Sequence, residues 1–556
     1  MPSIRRSDLV YLNITQFLGV LNDNLYKLLM IFLLIHVEGE AKSSVILSLA
    51  GGVFVLPFLL FTPFAGGLAD KYSKRNIIIG CKFLEIIVMG LAALTFYLQS
   101  PIGCYTVLFL MAMQSALFAP SKYGIIPEIV GAKQIVKANG LITSLTFIAV
   151  IMGSFLASFI AERLDGHYVY AGLLCILIAI VGFVTSTRIH PLTPTHSPEK
   201  ISPFFLREIH RTLLDSAKYK NLFIAIIGSA VFLFIGSYVQ LNIIPYSIHS
   251  LGLTNTQGGY LFSVTAIGIG GGSLIAGKVI GRYGNLSSTV VGGIGVSFCL
   301  LLLNLLPYTL YSAIPLLFFL GLAGSFFIVP FDSFIQIVTP RKKIGKYVAA
   351  STFLAFVGVL LSAVFLYLVN DMLQVSASRG FLIVGSLTLL MTLIISYFIL
   401  NHLVPTLCHF YARARYQIEV EGTNILTEEK HKLVICLSNH WKNLFFFWAI
   451  EKRPTRIVIE TDRKNFRLLR PFSRALNLFI IDKFPPEEND SYFSQIFASL
   501  EEGESILFLT NRPTSEIQHH QSLFEKQLSH PMMLIEMNVD QTSLPLINVT
   551  LHKRSE

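Results

Sequence analysis

Twelve apolar stretches, each about 20 residues long, recur along the first 403 positions, near 12–35, 47–69, 76–98, 105–127, 138–160, 167–187, 221–247, 258–280, 287–306, 309–331, 347–369 and 382–403. An α-helix rises 1.5 Å per residue, so about 20 apolar residues cross the ~30 Å hydrocarbon core of a bilayer. Inside that core every backbone N–H and C=O needs a partner within its own helix or a closed barrel, and runs this long predict helices. The pattern leaves one fold class: an α-helical membrane protein with twelve transmembrane helices. Hydrophobic residues make up 53% of the chain and charged ones 14%, too apolar for a soluble protein of several domains. The opening stretch MPSIRRSDLVYLN has no small-residue cleavage site ahead of its apolar run, so the first helix is expected to be retained.

Basic residues orient the bundle. Loops after even-numbered helices carry seventeen Lys and Arg, including Lys71, Lys74 and Arg75 after helix two and Arg341, Lys342, Lys343 and Lys346 after helix ten. Loops after odd-numbered helices carry three, Lys42, Arg163 and Arg379. Cytoplasmic loops hold the excess, so both termini are expected in the cytoplasm. The net charge of +10 follows largely from this asymmetry, and no nucleic-acid partner is expected from it. Six scattered cysteines, with no CxxC and no clustered His, indicate neither a disulfide framework nor a metal site.

A long loop from Arg188 to Lys220 divides the helices into two sets of six, which suggests an internal repeat. The expected domains are residues 1–187, a linker at 188–220, a second half at 221–404 and a separate region at 405–556. The loop after helix two reads GGLADKYSKR (66–75) and that after helix eight reads GKVIGRYGN (277–285). Both resemble the signature loop of the major facilitator superfamily, a resemblance that covers about the first 400 residues. In the first copy Gly66, Asp70, Lys71, Lys74 and Arg75 fall on the motif, and Ser73 replaces its second glycine. In the second, Gly277, Arg282 and Gly284 match, while Gly281 stands where the acid would be. The resemblance implies a charge latch in which glycines allow close helix approach and Asp70 with the basic residues holds one state of alternating access.

Substrate ligands are sought among polar groups deep in apolar helices, where each is costly unless paired or facing a cavity. Helix one carries QFLGVLNDNLYKLL (16–29), with Gln16, Asn22, Asp23, Asn24 and Lys27. Asp23 and Lys27 are four apart and can pair along one face; they either neutralise each other or line a polar cavity. Helix four ends FAPSKYGIIPEI (118–129), placing Lys122 and Tyr123 between Pro120 and Pro127, where kinks are expected. Helix ten offers FIVPFDSFIQ (327–336), with Asp332 and Gln336 in the corresponding place of the second half. Paired proline-interrupted helices point to a site at the repeat interface.

The stretches QFLGVLNDN (16–24), FAPSKYGIIPEIV (118–130) and VKANGLITSLTFIAVIMG (136–153) are similar to the bacterial lysophospholipid transporters. That resemblance implies a bacterial inner-membrane protein that moves lysophospholipids, chiefly lysophosphatidylethanolamine, with no bound cofactor. On this reading Asp23 meets the ammonium and Lys122 the phosphate. A carrier of small organic cations, drugs or another amphipathic molecule would also place an acid at position 23.

Past His402 the composition changes. Short runs at Leu433–Leu437, Arg456–Glu460, Leu478–Ile481 and Ser505–Leu509 alternate with helical stretches, which predicts a small cytoplasmic α/β domain. The segments SNHWKNLFFF (438–447), LNLFIIDK (476–483) and EEGESILFLTNRPTS (501–515) resemble, in order and spacing, the glycerophospholipid acyltransferase family. The resemblance makes His440 the base that takes the acceptor proton, with acyl-carrier protein or a coenzyme A thioester as donor. The orienting Asp expected five residues on is replaced by Phe445. Leu509, Thr510 and Asn511 stand where that family has Pro-Glu-Gly, and Lys483 where it has Arg; Lys483 and Arg512 remain phosphate-binding candidates. Three expectations stay open: a retired enzyme domain, a lipid- or carrier-binding one, or an active importer and acyltransferase using another acid such as Glu451, Glu460 or Asp462. Trp441 and Phe445 to Trp448 offer an alternative role against the bilayer surface.

Overall fold

The computed structural model describes residues 6–131, 134–164, 168–191, 205–280, 286–306 and 309–421. Beyond these it describes 432–436, 445–448, 456–460, 476, 478–481, 506–509, 533–540 and 546–553. The chain divides into two compact units, Met1–Leu393 and Ile394–Glu556.

Among the described residues twelve helices are long and apolar enough to cross a membrane. In the first half they are α1 (Arg6–Glu38), α2 (Ser43–Lys71), α3 (Lys74–Leu98), α4 (Pro101–Gly124) with its one-turn continuation α5 (Ile126–Val130), α6 (Ile135–Leu164) and α7 (Val169–Thr187). After a linker helix α8 (Phe205–Ala217) come α9 (Lys220–His249), α10 (Asn255–Val279), α11 (Ser287–Leu305), α12 (Leu310–Val338), α13 (Ile344–Leu366) and α14 (Ala377–Phe398). The ends follow local chemistry. Ser100 accepts the N–H of Gly103 ahead of Pro101 at the start of α4, and Thr254 with Gln257 forms a capping box on α10. The kink expected between Pro120 and Pro127 is a break at Ile125, because Pro127 cannot supply the N–H that would carry α4 onward. Pro330, in contrast, sits inside a continuous α12. The last span begins at Ala377 and ends at Phe398, earlier than the expected 382–403, and the polar residues 401–402 open a separate helix, α15 (Leu400–Arg415).

Packing pairs α2 with α4, α3 with α7 and α1 with α6 in the first half, and α10 and α11 with α12 and α9 with α13 in the second. The halves meet along two seams, α2 against α13 and α6 against α10. Glycine makes both possible. A Cβ on Gly66 would lie 2.5 Å from the Ala349 Cβ, and one on Gly140 would lie 2.4 Å from the Ser273 carbonyl oxygen and 2.9 Å from the Gly277 Cα. These contacts stand near the helix ends that carry the α2–α3 and α12–α13 loops, termed here the basic end.

The described residues of the second unit form a seven-stranded sheet: β1 (Gln417–Glu421), β2 (Lys432–Cys436), β3 (Arg456–Glu460), β4 (Leu478–Ile481), β5 (Ile506–Leu509), β6 (Met533–Asp540) and β7 (Leu546–Lys553). Strand order is β1-β7-β6-β2-β5-β3-β4, with β6 and β7 antiparallel and the other pairs parallel. The four runs anticipated from sequence are strands β2 to β5, buried parallel strands being read as short continuous apolar runs. Of the aromatic cluster considered for the bilayer surface, Phe446, Phe447 and Trp448 are instead buried within the protein at 4, 2 and 9% exposure. Phe445 lies edge-on to Tyr411 of α15 (5.8 Å between centroids) and to Phe446 (5.2 Å). Hydrophobic rings so placed form the packing between α15 and the start of the short helix at 445–448. His440, Lys483 and Arg512 lie outside the described residues, as do Trp441 and Asp462.

Candidate functional site

The first half holds an open pocket of about 730 Å³ lined by α1, α2, α3 and α4, with Asp23, Lys27, Lys82, Glu85 and Lys122 on its wall. Five ionisable side chains in one apolar half-bundle demand partners, since charges at membrane depth persist only when paired or facing a cavity. Lys82 and Glu85 form an ion pair at 2.6 Å with side chains 1 and 2% exposed, and Asn22 donates to the other Glu85 oxygen at 3.1 Å. Gly19 makes the room: a Cβ there would lie 2.3 Å from the Lys82 ammonium. This pair was missed in the sequence reading. Its signal was present in CKFLE (81–85), two opposite charges three apart inside an apolar run, which is helix-face spacing.

Asp23 accepts from the Ser115 hydroxyl at 2.7 Å, while its other oxygen is buried without a partner. Of the two alternatives for Asp23 and Lys27, both residues line the pocket and no ion pair joins them among the described residues. The Lys27 ammonium instead stands 5.2 Å from the Phe54 ring centroid, an aromatic face being the nearest electron-rich surface on the neighbouring helix α2. Asn24 also lines the pocket, but its amide donates to Val20 of its own helix at 2.8 Å.

A second cavity, about 1110 Å³, lies between the halves and is walled by apolar side chains including Phe147, Phe232, Leu233, Ile328 and Phe356. Lys122, Phe58 and Ala119 border both cavities. The Lys122 ammonium is flanked by the rings of Tyr123 (4.5 Å) and Phe118 (5.9 Å). Asp332 enters from α12, accepting from Ser229 at 3.2 Å. Gln336 also borders this cavity, yet its amide is engaged with Asn139 of α6 in both directions, at 3.1 and 3.2 Å. It therefore joins the two halves beside this cavity.

The signature-loop residues divide by role. Asp70 spans the seam, accepting the backbone N–H groups of Gly345 (2.7 Å) and Lys346 (2.9 Å). An anion on the N-terminus of α13 answers both its orphan donors and its dipole. The basic residues of the motif have their described hydrogen-bond, ion-pair and ring partners elsewhere than on that acid. Lys74 pairs with Glu128 of α5 at 2.6 Å, Arg75 donates to the carbonyls of Thr187 and Ile189 past the end of α7, and Lys71 stands over Tyr72. The reason is geometric: those three side chains project from the α2–α3 turn onto their own half. Lys346 extends the closure, its ammonium bonding Glu208 of the linker helix α8. Gly66 and Gly277 are seam residues as expected, and Arg282 lies outside the described residues.

Comparison with known proteins agrees with this architecture. Residues 14–363 and 228–406 match the family description Major Facilitator Superfamily. The chain is 28% identical over 327 residues to the lysophospholipid transporter LplT of Escherichia coli O1:K1 / APEC, a match covering 58% of this chain and 78% of that protein. Among solved structures it is similar to the human organic anion transporter MFSD10 (TETRAN), with a TM-score of 0.60 at 14% identity over 71% of this chain and 99% of that one. It is likewise similar to the transporter FucP in the outward conformation, with a TM-score of 0.57 at 13% identity over 70% of this chain and 98% of that one. Two six-helix halves, glycine seams at their interface and a family match across most of the chain converge: this multi-pass membrane protein belongs to the Major Facilitator Superfamily.

Proposed function

We propose that the protein carries lysophospholipids, chiefly lysophosphatidylethanolamine, across a bacterial inner membrane by alternating access. The observation that carries this reading is the position of Lys122: a buried cation at the junction of a charged pocket and a large apolar-walled cavity. A single-chain zwitterionic lipid needs both environments side by side, charges of either sign for its head and apolar surface for its chain. Lys122 is suited to the phosphate, and Asp23, with one unpartnered oxygen, to the ammonium. The likeness to LplT supports the same substrate class. With the basic end in the cytoplasm, as the Lys and Arg asymmetry indicates, the closed seams correspond to a carrier sealed on the cytoplasmic side.

The region 405–556 is read as a cytoplasmic domain derived from a phospholipid acyltransferase and no longer active. Support comes from Phe445, whose ring is committed to Tyr411 and Phe446 at the position where a carboxylate would orient His440. The second reading, an importer that also reacylates the lipid, needs an acid from elsewhere. Purified protein in liposomes, with labelled lysophosphatidylethanolamine outside and acyl thioester at the cytoplasmic face, tests both. Uptake abolished by Lys122→Ala with no diacyl product is the expected result; diacyl product lost in His440→Ala would replace it with the bifunctional reading. An unaltered protein that takes up no lysolipid sinks the lipid assignment.

A further inference from the structure

The Lys82–Glu85 pair stands on the wall of the pocket that also holds Asp23 and Lys122. Both charges belong to α3, so their bond joins no two helices. Asn22 ties Glu85 to α1 through the carboxylate oxygen that Lys82 does not use. A buried ion pair is weak support for a fold, because the cost of desolvating two charges offsets most of their attraction. Its use is to be sought in what the pocket takes up. The Lys82 ammonium occupies the space that a side chain at Gly19 of α1 would fill. It lies 5.3 Å from the centroid of Phe118, the same ring that the Lys122 ammonium approaches at 5.9 Å. Both cations stand about two turns inward from the basic end, Lys82 counted from Lys74 and Lys122 from Glu128, which Lys74 binds. The acids stand deeper: Glu85 follows Lys82 along α3, and Asp23 follows Gly19 by one turn along α1. The pocket is layered, with two cations toward the basic end and two carboxylates beyond them.

We propose that Lys82 is a second cation for the phosphate of the head group, and that Glu85 is its counter-ion in the carrier without substrate, displaced when the phosphate arrives. The phosphate is then shared by Lys122 and Lys82. Glu85, kept on Asn22, joins Asp23 in meeting the ammonium. Each half of the separated pair is answered by the opposite charge of the zwitterion, so neither is left buried and alone. The lipid attached to that head group rests on the function proposed above; the phosphate site does not.

The test uses full-length protein in liposomes and compares uptake of lysophosphatidylethanolamine with that of lysophosphatidylglycerol, whose phosphodiester carries no ammonium. Glu85→Gln, which is isosteric, removes the competitor for Lys82 and one acid for the ammonium. It is expected to shift the ratio of uptake efficiencies toward lysophosphatidylglycerol about tenfold. The double variant Lys82→Gln with Glu85→Gln leaves neither charge unpaired, which protects the fold, and is expected to raise KM for both lipids about tenfold at an unchanged maximal rate. An unchanged KM in the double variant overturns the proposal, as does an unchanged ratio in folded Glu85→Gln. Thermal stability of the purified proteins is read alongside with glycerol 3-phosphate, which carries the phosphate without chain or ammonium. It is expected to raise the midpoint of the unaltered protein and not that of the double variant. Such stabilisation without any lysolipid uptake would discard the lipid and keep the phosphate site. Uptake whose KM ignores the double variant would keep the lipid and discard the site, and neither uptake nor stabilisation would remove both.

Discussion

At the level of single residues, the interior of the first half is organised by what each charge could find as a partner. Glu85 is tied to Lys82 and Asn22 with both ionic side chains almost fully enclosed, so truncating one partner leaves the other buried and unanswered. Glu85→Ala is expected to cost about 3 kcal/mol, and Lys82→Met combined with Glu85→Leu distinctly less. Thermal unfolding followed by size-exclusion chromatography separates the two, and equal losses would mean that the pair is not the stabilising unit. Phe445 gives the converse case. A carboxylate placed there to rebuild the catalytic dyad also removes a ring packed against Tyr411 and Phe446. Phe445→Asp is therefore expected to destabilise the C-terminal unit by about 2 kcal/mol and to yield no diacyl lipid. Acyl transfer in that variant would show that the fold tolerates the restoration. Asp23, Lys122 and Asp332, singled out in the sequence as polar groups deep in apolar helices, line the two cavities. For Asp23 and Lys27 the sequence left mutual pairing and a shared cavity both open, because i to i+4 spacing states that two groups share a face and not what the neighbouring helix offers either of them.

Between elements, closure depends on backbone more than on side-chain charge. Asp70 holds two N–H groups at the start of α13, and the seams beside it are lined by Gly66, Gly140, Gly277 and Gly345. Asp70→Ala removes an anion from a helix N-terminus and leaves two donors without it, which is expected to shift the population toward the open basic end by about tenfold. Gly140→Val has no space beside the Ser273 carbonyl and is expected to shift it in the same direction. Alkylation of a cysteine introduced at Ser333 reads both, since that side chain is fully buried behind the closed seam; unchanged labelling would remove the seam from the gating mechanism. The signature loop made these residues findable by resemblance. Its basic residues were legible as a cluster, yet their targets, Glu128 and the carbonyls of Thr187 and Ile189, depend on how α3, α5 and α7 are arranged.

For the whole molecule, the transport unit and the C-terminal unit are separate compact bodies. A chain cut after Arg415 is expected to be inserted and to take up lysolipid at the full-length rate; loss of uptake with normal insertion would make the second unit part of the carrier. By itself the sequence determined the number and order of the membrane helices, the division into halves, the basic end and the strands β2 to β5. Each of these is local: a bilayer demands a length of apolar chain, and a buried strand a short apolar run. Tertiary structure alone decided which polar groups meet. Asp70 reaches N–H groups 275 and 276 positions along the chain, Asn139 reaches Gln336, and Lys122 comes to lie at the junction of two cavities. Helices that are apolar on nearly every side carry little periodic record of their rotation. The close approach of backbones at glycine, and the need of each buried charge for a partner, set that rotation only once the helices are packed.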